Sequence, residues 1–133
     1  MMWAWTMQDP IKGNWWMQFG DDYLVGYWPA AIFSHLGASA TMLEWGGEVV
    51  NSQPGGHHTA TGMGSGQFAE KGFEQASYLR NIKYVDANNV LRTPTGMQTL
   101  AEHPGCYDIQ SGVNMEWGAY FYYGGPGHSA NCP

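Results

Sequence analysis

The chain has 133 residues, a net charge of -6, and a composition that is 44% hydrophobic and only 12% charged. That length suits one domain or part of one, the apolar content excludes a disordered tail, and the acidic balance excludes a nucleic-acid binder and a polybasic membrane-surface protein. No apolar run approaches the ~18–20 residues of a spanning helix, and Gly 19 with Pro 7 favours many short strands over a helical bundle.

In chain order, the start Met1-Met2-Trp3-Ala4-Trp5 lacks the basic segment and long apolar stretch of a signal peptide, which implies an intracellular chain or one whose first part is missing. Segment 14–19 is a short apolar strand bounded by Gly13 and Gly20, and Tyr23 to Trp28 is a second strand after the turn signal Gly20-Asp21-Asp22. Pro29 opens a helix of about two turns over 29–37, with Ile32, Phe33 and Leu36 on one face and Gly37 as the stop. Thr41 to Val50 alternates as a strand. A glycine-rich connection follows over 51–66, then a helical turn from Phe68 to Phe73 and a strand from Ala76 to Asp86. Asp86-Ala87-Asn88-Asn89 turns that strand back into Val90 to Thr93, a hairpin. The last strand is Met115 to Tyr123, ending in the turn Gly124-Gly125-Pro126-Gly127. The expected class is all-β, an antiparallel β-sandwich of jelly-roll type, with one short helix near 29–37. Six or so strands would leave a sheet with an uncovered edge, the mark of a partial domain.

Glu48 is the first candidate for chemistry. It sits in Glu44-Trp45-Gly46-Gly47-Glu48, inside an apolar strand where a charge is costly unless paired, protonated or exposed. The plain alternative is a carboxylate on the solvent face of an edge strand. Glu44 cannot be its partner in a regular strand, because four residues span about 13 Å. Glu116 is the only acid in the last strand and a weak second candidate. His57 and His58 suggest a metal, with Glu48 as third ligand, but neighbours on an extended chain point apart, and a polar loop is the simpler reading. Gly62-Met63-Gly64-Ser65-Gly66 lacks the Gly-Lys-Ser/Thr ending of a phosphate loop and does not centre a serine as a nucleophile elbow does. Trp15, Trp16, Trp28, Trp45, Trp117 and Tyr122 belong to an aromatic set larger than a small core needs, able to line a cleft for proline rings or sugars. Cys106 and Cys132 are either bridged or two unrelated buried thiols. The position of Cys132 one residue from the chain end favours a bridge, since an untethered end frays.

Taken together, Gly-Asn-Trp-Trp (13–16), Val-Gly-Tyr-Trp-Pro (25–29), Trp-Gly-Gly-Glu-Val (45–49), His-Thr-Ala-Thr-Gly-Met-Gly-Ser-Gly (58–66), Cys-Tyr-Asp (106–108) and Trp-Gly-Ala-Tyr-Phe-Tyr-Tyr-Gly-Gly-Pro-Gly (117–127) resemble the neprosin family over essentially the whole chain. The resemblance implies a secreted, plant-type glutamic peptidase with a β-sandwich domain. It implies cleavage after proline under acidic conditions, without metal or organic cofactor. Its chemistry rests on two glutamates. The later one corresponds to Glu48, and the earlier one belongs to an upstream half-domain. Residues 1–133 then form the C-terminal part of such a domain, with no second domain, carrying one acid and inactive alone. The implied partners are a proline-containing peptide or protein substrate and the upstream half. The resemblance also supports the Cys106–Cys132 bridge. The alternative is a non-catalytic carbohydrate-binding module with an aromatic platform.

Overall fold

The computed structural model describes residues 4–20 and 22–133. Asp21, in the expected turn, and Met1 to Trp3 lie outside the described residues. The chain is all-β, built of short antiparallel strands with single turns of 3-10 helix. It divides into two compact units, residues 1–44 and 45–133.

The first unit is a three-stranded meander of β1 (Ala4–Gln8), β2 (Trp15–Phe19) and β3 (Tyr23–Trp28), in that order. Its first turn is set by Asp9. The Asp9 carboxylate accepts the Ile11 amide at 2.8 Å, and its carbonyl accepts the Gly13 amide at 2.8 Å. This is the Asx turn that Asp favours. The β2–β3 register shifts between Met17 and Gln18, where β3 bulges by one residue at Val25, next to Gly26.

The helix expected over 29–37 is reduced to one 3-10 turn, Ala30–Ile32. Asn14 Oδ1 accepts the Ala30 amide at 3.1 Å and fixes where the turn starts. Beyond it Phe33 is extended, and Ile32 and Leu36 remain 62% and 37% exposed. A helix this short persists only if it buries an apolar face, and this one does not. Its last carbonyls serve another purpose: Gln8 Nε2 donates to Gly37 O at 3.1 Å and Trp15 Nε1 to Leu36 O at 2.9 Å.

The second unit centres on a hairpin of β7 (Asp108–Asn114) and β8 (Gly118–Gly124), with β4 (Ser77–Leu79) on the other edge of β8. Residues 115–117 close the hairpin. Asn114 Oδ1 accepts the Trp117 amide at 2.6 Å, and Gly118 takes φ 64°, the left-handed residue that a three-residue hairpin loop demands. Sequence reasoning did not foresee β7, and it placed the last strand three residues early. Met115 is fully exposed, in the hairpin loop.

The strand expected over 76–86 is two strands, β4 and β5 (Tyr84–Val85). Asn81, at φ 53°, breaks the run. Pairing to the β8 edge resumes past the kink, with the Asn81 amide donating to Trp117 O at 2.7 Å and the Ile82 amide to Ala119 O at 3.1 Å. The core is Ile82, Ala119 and Phe121, with Trp45, Leu79, Met97, Ile109 and Tyr123 packed on it.

β5 and β6 (Leu91–Arg92) form the hairpin expected around Asp86. The Asp86 carboxylate accepts the Asn88 and Val90 amides at 2.9 and 3.0 Å and pairs with Arg92 Nε at 2.8 Å. The Arg92 hydrogen bond, then the Val90 amide, hold its carboxyl below the ordinary value of 3.8. The folded carboxyl therefore keeps its charge longer than the unfolded one. Its contribution is whole above the unfolded value and is lost as pH falls through the lower folded one. The amide resonances of Asn88 and Val90 should shift together with a midpoint below 3.8. A midpoint at or above that value contradicts this role of Asp86.

Cys106 and Cys132 form a disulfide, Cα atoms 5.0 Å apart, spanning 26 residues. Around it, Pro133 O accepts the His58 amide at 3.1 Å and Thr59 O accepts the His128 amide at 2.8 Å, so segment 58–63 and the C-terminal segment run side by side. Replacing both cysteines by serine should cost about 3 kcal/mol and lower the melting temperature by on the order of 10 °C. An unchanged thermal melt would show that the hydrogen bonds alone hold the end.

Candidate active site

Thr41 to Val50, expected as a strand, lies outside every described strand. The alternating pattern pairs with no strand here, and without a ladder an extended segment has no reason to be regular. The segment is nevertheless anchored. Trp45 packs against the core. A Cβ on Gly47 would stand 2.9 Å from the Met63 side chain and 3.0 Å from the Tyr123 ring, so the absence of a side chain permits the close approach.

Glu48, the next residue, is exposed, and its side chain has no hydrogen bond or ion pair among the described residues. Glu44 and Glu116 are exposed as well. Asn51 ties off the following loop, its Oδ1 accepting the Thr59 amide at 3.1 Å and its Nδ2 donating to His57 O at 3.4 Å. The loop thus has a fixed exit three residues beyond Glu48.

The two histidines part company as their adjacency suggests. His57 is exposed, whereas His58 is half-buried with its ring edge-on to His103 and Tyr107, centroids 5.4 and 5.3 Å apart. His58 groups with Cys106 and Cys132, not with Glu48. The glycine run 62–66 works as a backbone passage. Met63 pairs with Gly125, and a Cβ on Gly64 would strike Ser77 Oγ at 2.6 Å.

The aromatic candidates fall into separate groups. Trp15 and Trp16 are half-buried. Trp16 packs on Tyr27 at 4.7 Å, and Trp28, cross-strand from Trp15, is 42% exposed. Trp16 also lines a shallow apolar depression with Met7, Gln18 and Leu24. In the second unit, alternate β8 residues face opposite ways. Ala119, Phe121 and Tyr123 face the core and the Trp45–Gly47 segment. Tyr120 and Tyr122 face the other side, where Trp117, Tyr78 and Phe73 join them with ring centroids 4.9 to 6.1 Å apart. Arg80 lies over the Trp117 ring at 5.1 Å. Trp117 and Tyr122 therefore occupy the sheet face opposite the segment that carries Glu48. Burial and the neighbouring tyrosines push the Tyr122 hydroxyl above its ordinary range.

Sequence reasoning overlooked Asp108 and Phe73. The Asp108 carboxylate accepts the Ala69 amide at 2.6 Å and starts the 3-10 turn Ala69–Lys71. The signal for Asp108 in the sequence is the acid that closes the motif Cys-Tyr-Asp.

An all-β chain with a disulfide, a carboxylate presented on an anchored loop and aromatic-lined sheets is the setting in which the family comparison falls. The neprosin family model matches residues 2–126. The chain belongs to the neprosin family, which places it with peptidase-related, extracellular proteins at family level. The disulfide fits an oxidising, extracytosolic compartment.

Proposed function

We propose that the chain supplies one catalytic acid, Glu48, to a secreted glutamic peptidase that cleaves after proline. The observation that carries this reading is the way Glu48 is presented. Trp45 and Gly47 fasten the segment to the core, Asn51 closes the loop behind it, and the carboxylate between them projects unpaired. Family membership supports the peptidase class.

The chemistry needs a second carboxyl. Two facing carboxyls cannot both ionise easily, so they hold one proton between them and titrate as a pair. The ionised member takes a proton from water, which attacks the scissile carbonyl, and the protonated member donates to the oxyanion or leaving amine. In this reading the mate comes from the half-domain that the neprosin resemblance implies, outside residues 1–133. Trp45 is the aromatic nearest in sequence to stand beside the proline ring. Within the first unit, Trp15, Trp16 and Trp28 are the aromatics proposed to touch substrate.

By this account Glu48 alone is a surface carboxylate, and the 133-residue chain has little or no peptidase activity. The test is hydrolysis of a fluorogenic proline-containing peptide at acidic pH. Turnover that survives Glu48→Gln overturns both the role of Glu48 and the peptidase reading.

A further inference from the structure

We propose that Met63 and Tyr123 are positioning residues for Glu48. Together they form a wall on which the glycine before Glu48 rests, and so fix where its carboxylate stands. The inference rests on the peptidase reading of Glu48 and assigns two residues that act through its backbone.

Segment 41–50 pairs with no strand, so no ladder sets the position of Glu48. Contact sets it instead. A Cβ on Gly47 would lie 2.9 Å from both Cγ and Sδ of Met63 and 3.0 Å from Cε2 of Tyr123. Ordinary carbon contacts are ~3.5–4.0 Å, so the Gly47 backbone lies directly on these two side chains. Gly46, one residue earlier, has nothing within 4 Å of its Cβ position. The close approach is therefore confined to the residue joined to Glu48.

The wall is rigid for reasons of topology. Tyr123 lies in β8, which is paired on both sides, to Ser77 of β4 and Ile109 of β7. Its ring packs on Phe121, centroids 5.5 Å apart, and on the core. Met63 is pinned by its own backbone. Its amide donates to Gly125 O at 2.9 Å, and its carbonyl accepts the Gly66 amide at 3.0 Å. Gly64 beside it takes φ 61°, with Ser77 Oγ 2.6 Å from its Cβ position.

A methyl group on residue 47 must therefore move the wall or lift the segment. Met63 Sδ can swing aside, but Cγ is two bonds from a pinned Cα, and the Tyr123 ring is stiff. The segment takes up the remainder and carries Glu48 with it, since consecutive Cα atoms are fixed about 3.8 Å apart. An error of about 1 Å at a reacting group costs on the order of 10²-fold in rate. It also weakens the coupling of two carboxyls that share a proton, because that coupling depends on their separation. Their two apparent pKa values then draw together.

Two experiments test the proposal. In the 133-residue chain, the Glu48 amide should be as ordered as β8, with an NMR order parameter of about 0.85. Met63→Ala should lower it toward the flexible range, below about 0.6, and Met63→Leu, which keeps the bulk, should restore it. In the peptidase assembled with a half-domain bearing the second acid, Gly47→Ala should lower kcat about tenfold or more, leave KM within about twofold, and narrow the bell-shaped pH profile of kcat. The same change in a Met63→Ala background should cost about threefold or less, because the obstructing side chain is gone. Gly46→Ala should keep the parental kcat and profile. A merely structural role would lower the urea midpoint and the active fraction but leave the pH profile and the Gly47–Met63 coupling flat, and that result overturns the proposal. A Glu48 order parameter already below about 0.6 in the parent chain overturns it too. Where Glu48→Gln is inactive, an unaffected Gly47→Ala overturns this inference alone. Turnover that survives Glu48→Gln overturns it together with the reading on which it rests.

Discussion

Gly125→Ala is expected to destabilise the chain by roughly 4 kcal/mol, more than loss of the disulfide. The residue continues β8 as an extended run at φ 154°, where the sequence suggested a turn over 124–127. A Cβ there would collide with Cys106 O and stand 2.8 Å from Tyr107 Cα. Both are backbone atoms, and the Cys106 backbone is pinned by the disulfide, so neither can yield as a long side chain would. On the other side, Gly125 O accepts the Met63 amide at 2.9 Å, which blocks retreat in that direction. Gly46→Ala is the control, since nothing lies within 4 Å of its Cβ position and its φ is not in the left-handed region. Urea unfolding midpoints compare the two. Equal midpoints would mean that the passage between segment 63–67 and Cys106 is loose enough to admit a methyl group.

In a peptidase assembled from this chain and a half-domain bearing the second acid, Glu48→Gln should reduce kcat by on the order of 10²–10⁴, the usual worth of a positioned general acid or base. Glutamine keeps the shape and can still hydrogen-bond, but it cannot exchange roles as proton donor and acceptor. Because Glu48 is exposed and unpaired among the described residues, its loss should leave the unfolding midpoint within about 0.5 kcal/mol of the parent. A fall in activity that merely follows a fall in stability would contradict the catalytic role. Glu44→Gln and Glu116→Gln, also exposed, should retain activity.

Legibility in the sequence followed the range of the interactions. β2 and β3 were visible because Gly13 and Gly20 punctuate an apolar run, and both glycines take positive φ. The β5–β6 hairpin was visible because Asp86 and Asn89 are turn residues whose partners lie within six positions. The disulfide was legible from the position of Cys132 and from the family resemblance. By contrast, β7 has little apolar alternation, with Ile109 and Val113 separated by polar residues, and it is a strand because β8 pairs with it along seven residues. Over 41–50 the pattern promises a strand, but no ladder forms on it. The helix over 29–37 failed for want of a surface on which to bury Ile32 and Leu36. At the candidate site, Trp-Gly-Gly-Glu singles out Glu48 in the sequence, and the structure leaves it exposed on the segment anchored by Trp45 and Gly47. The placing of Trp117 and Tyr122 on the far face was not legible in the sequence, because it depends on which β8 residues meet Trp45 and Gly47 across the fold.

The most direct test compares release of a fluorogenic proline-containing peptide by the 133-residue chain alone, by the chain supplied with a neprosin half-domain bearing the second acid, and by that assembly carrying Glu48→Gln. The account predicts strong turnover at acidic pH in the second case and next to none in the first and third. Comparable turnover in the first or third would show that hydrolysis needs neither a carboxyl pair nor Glu48.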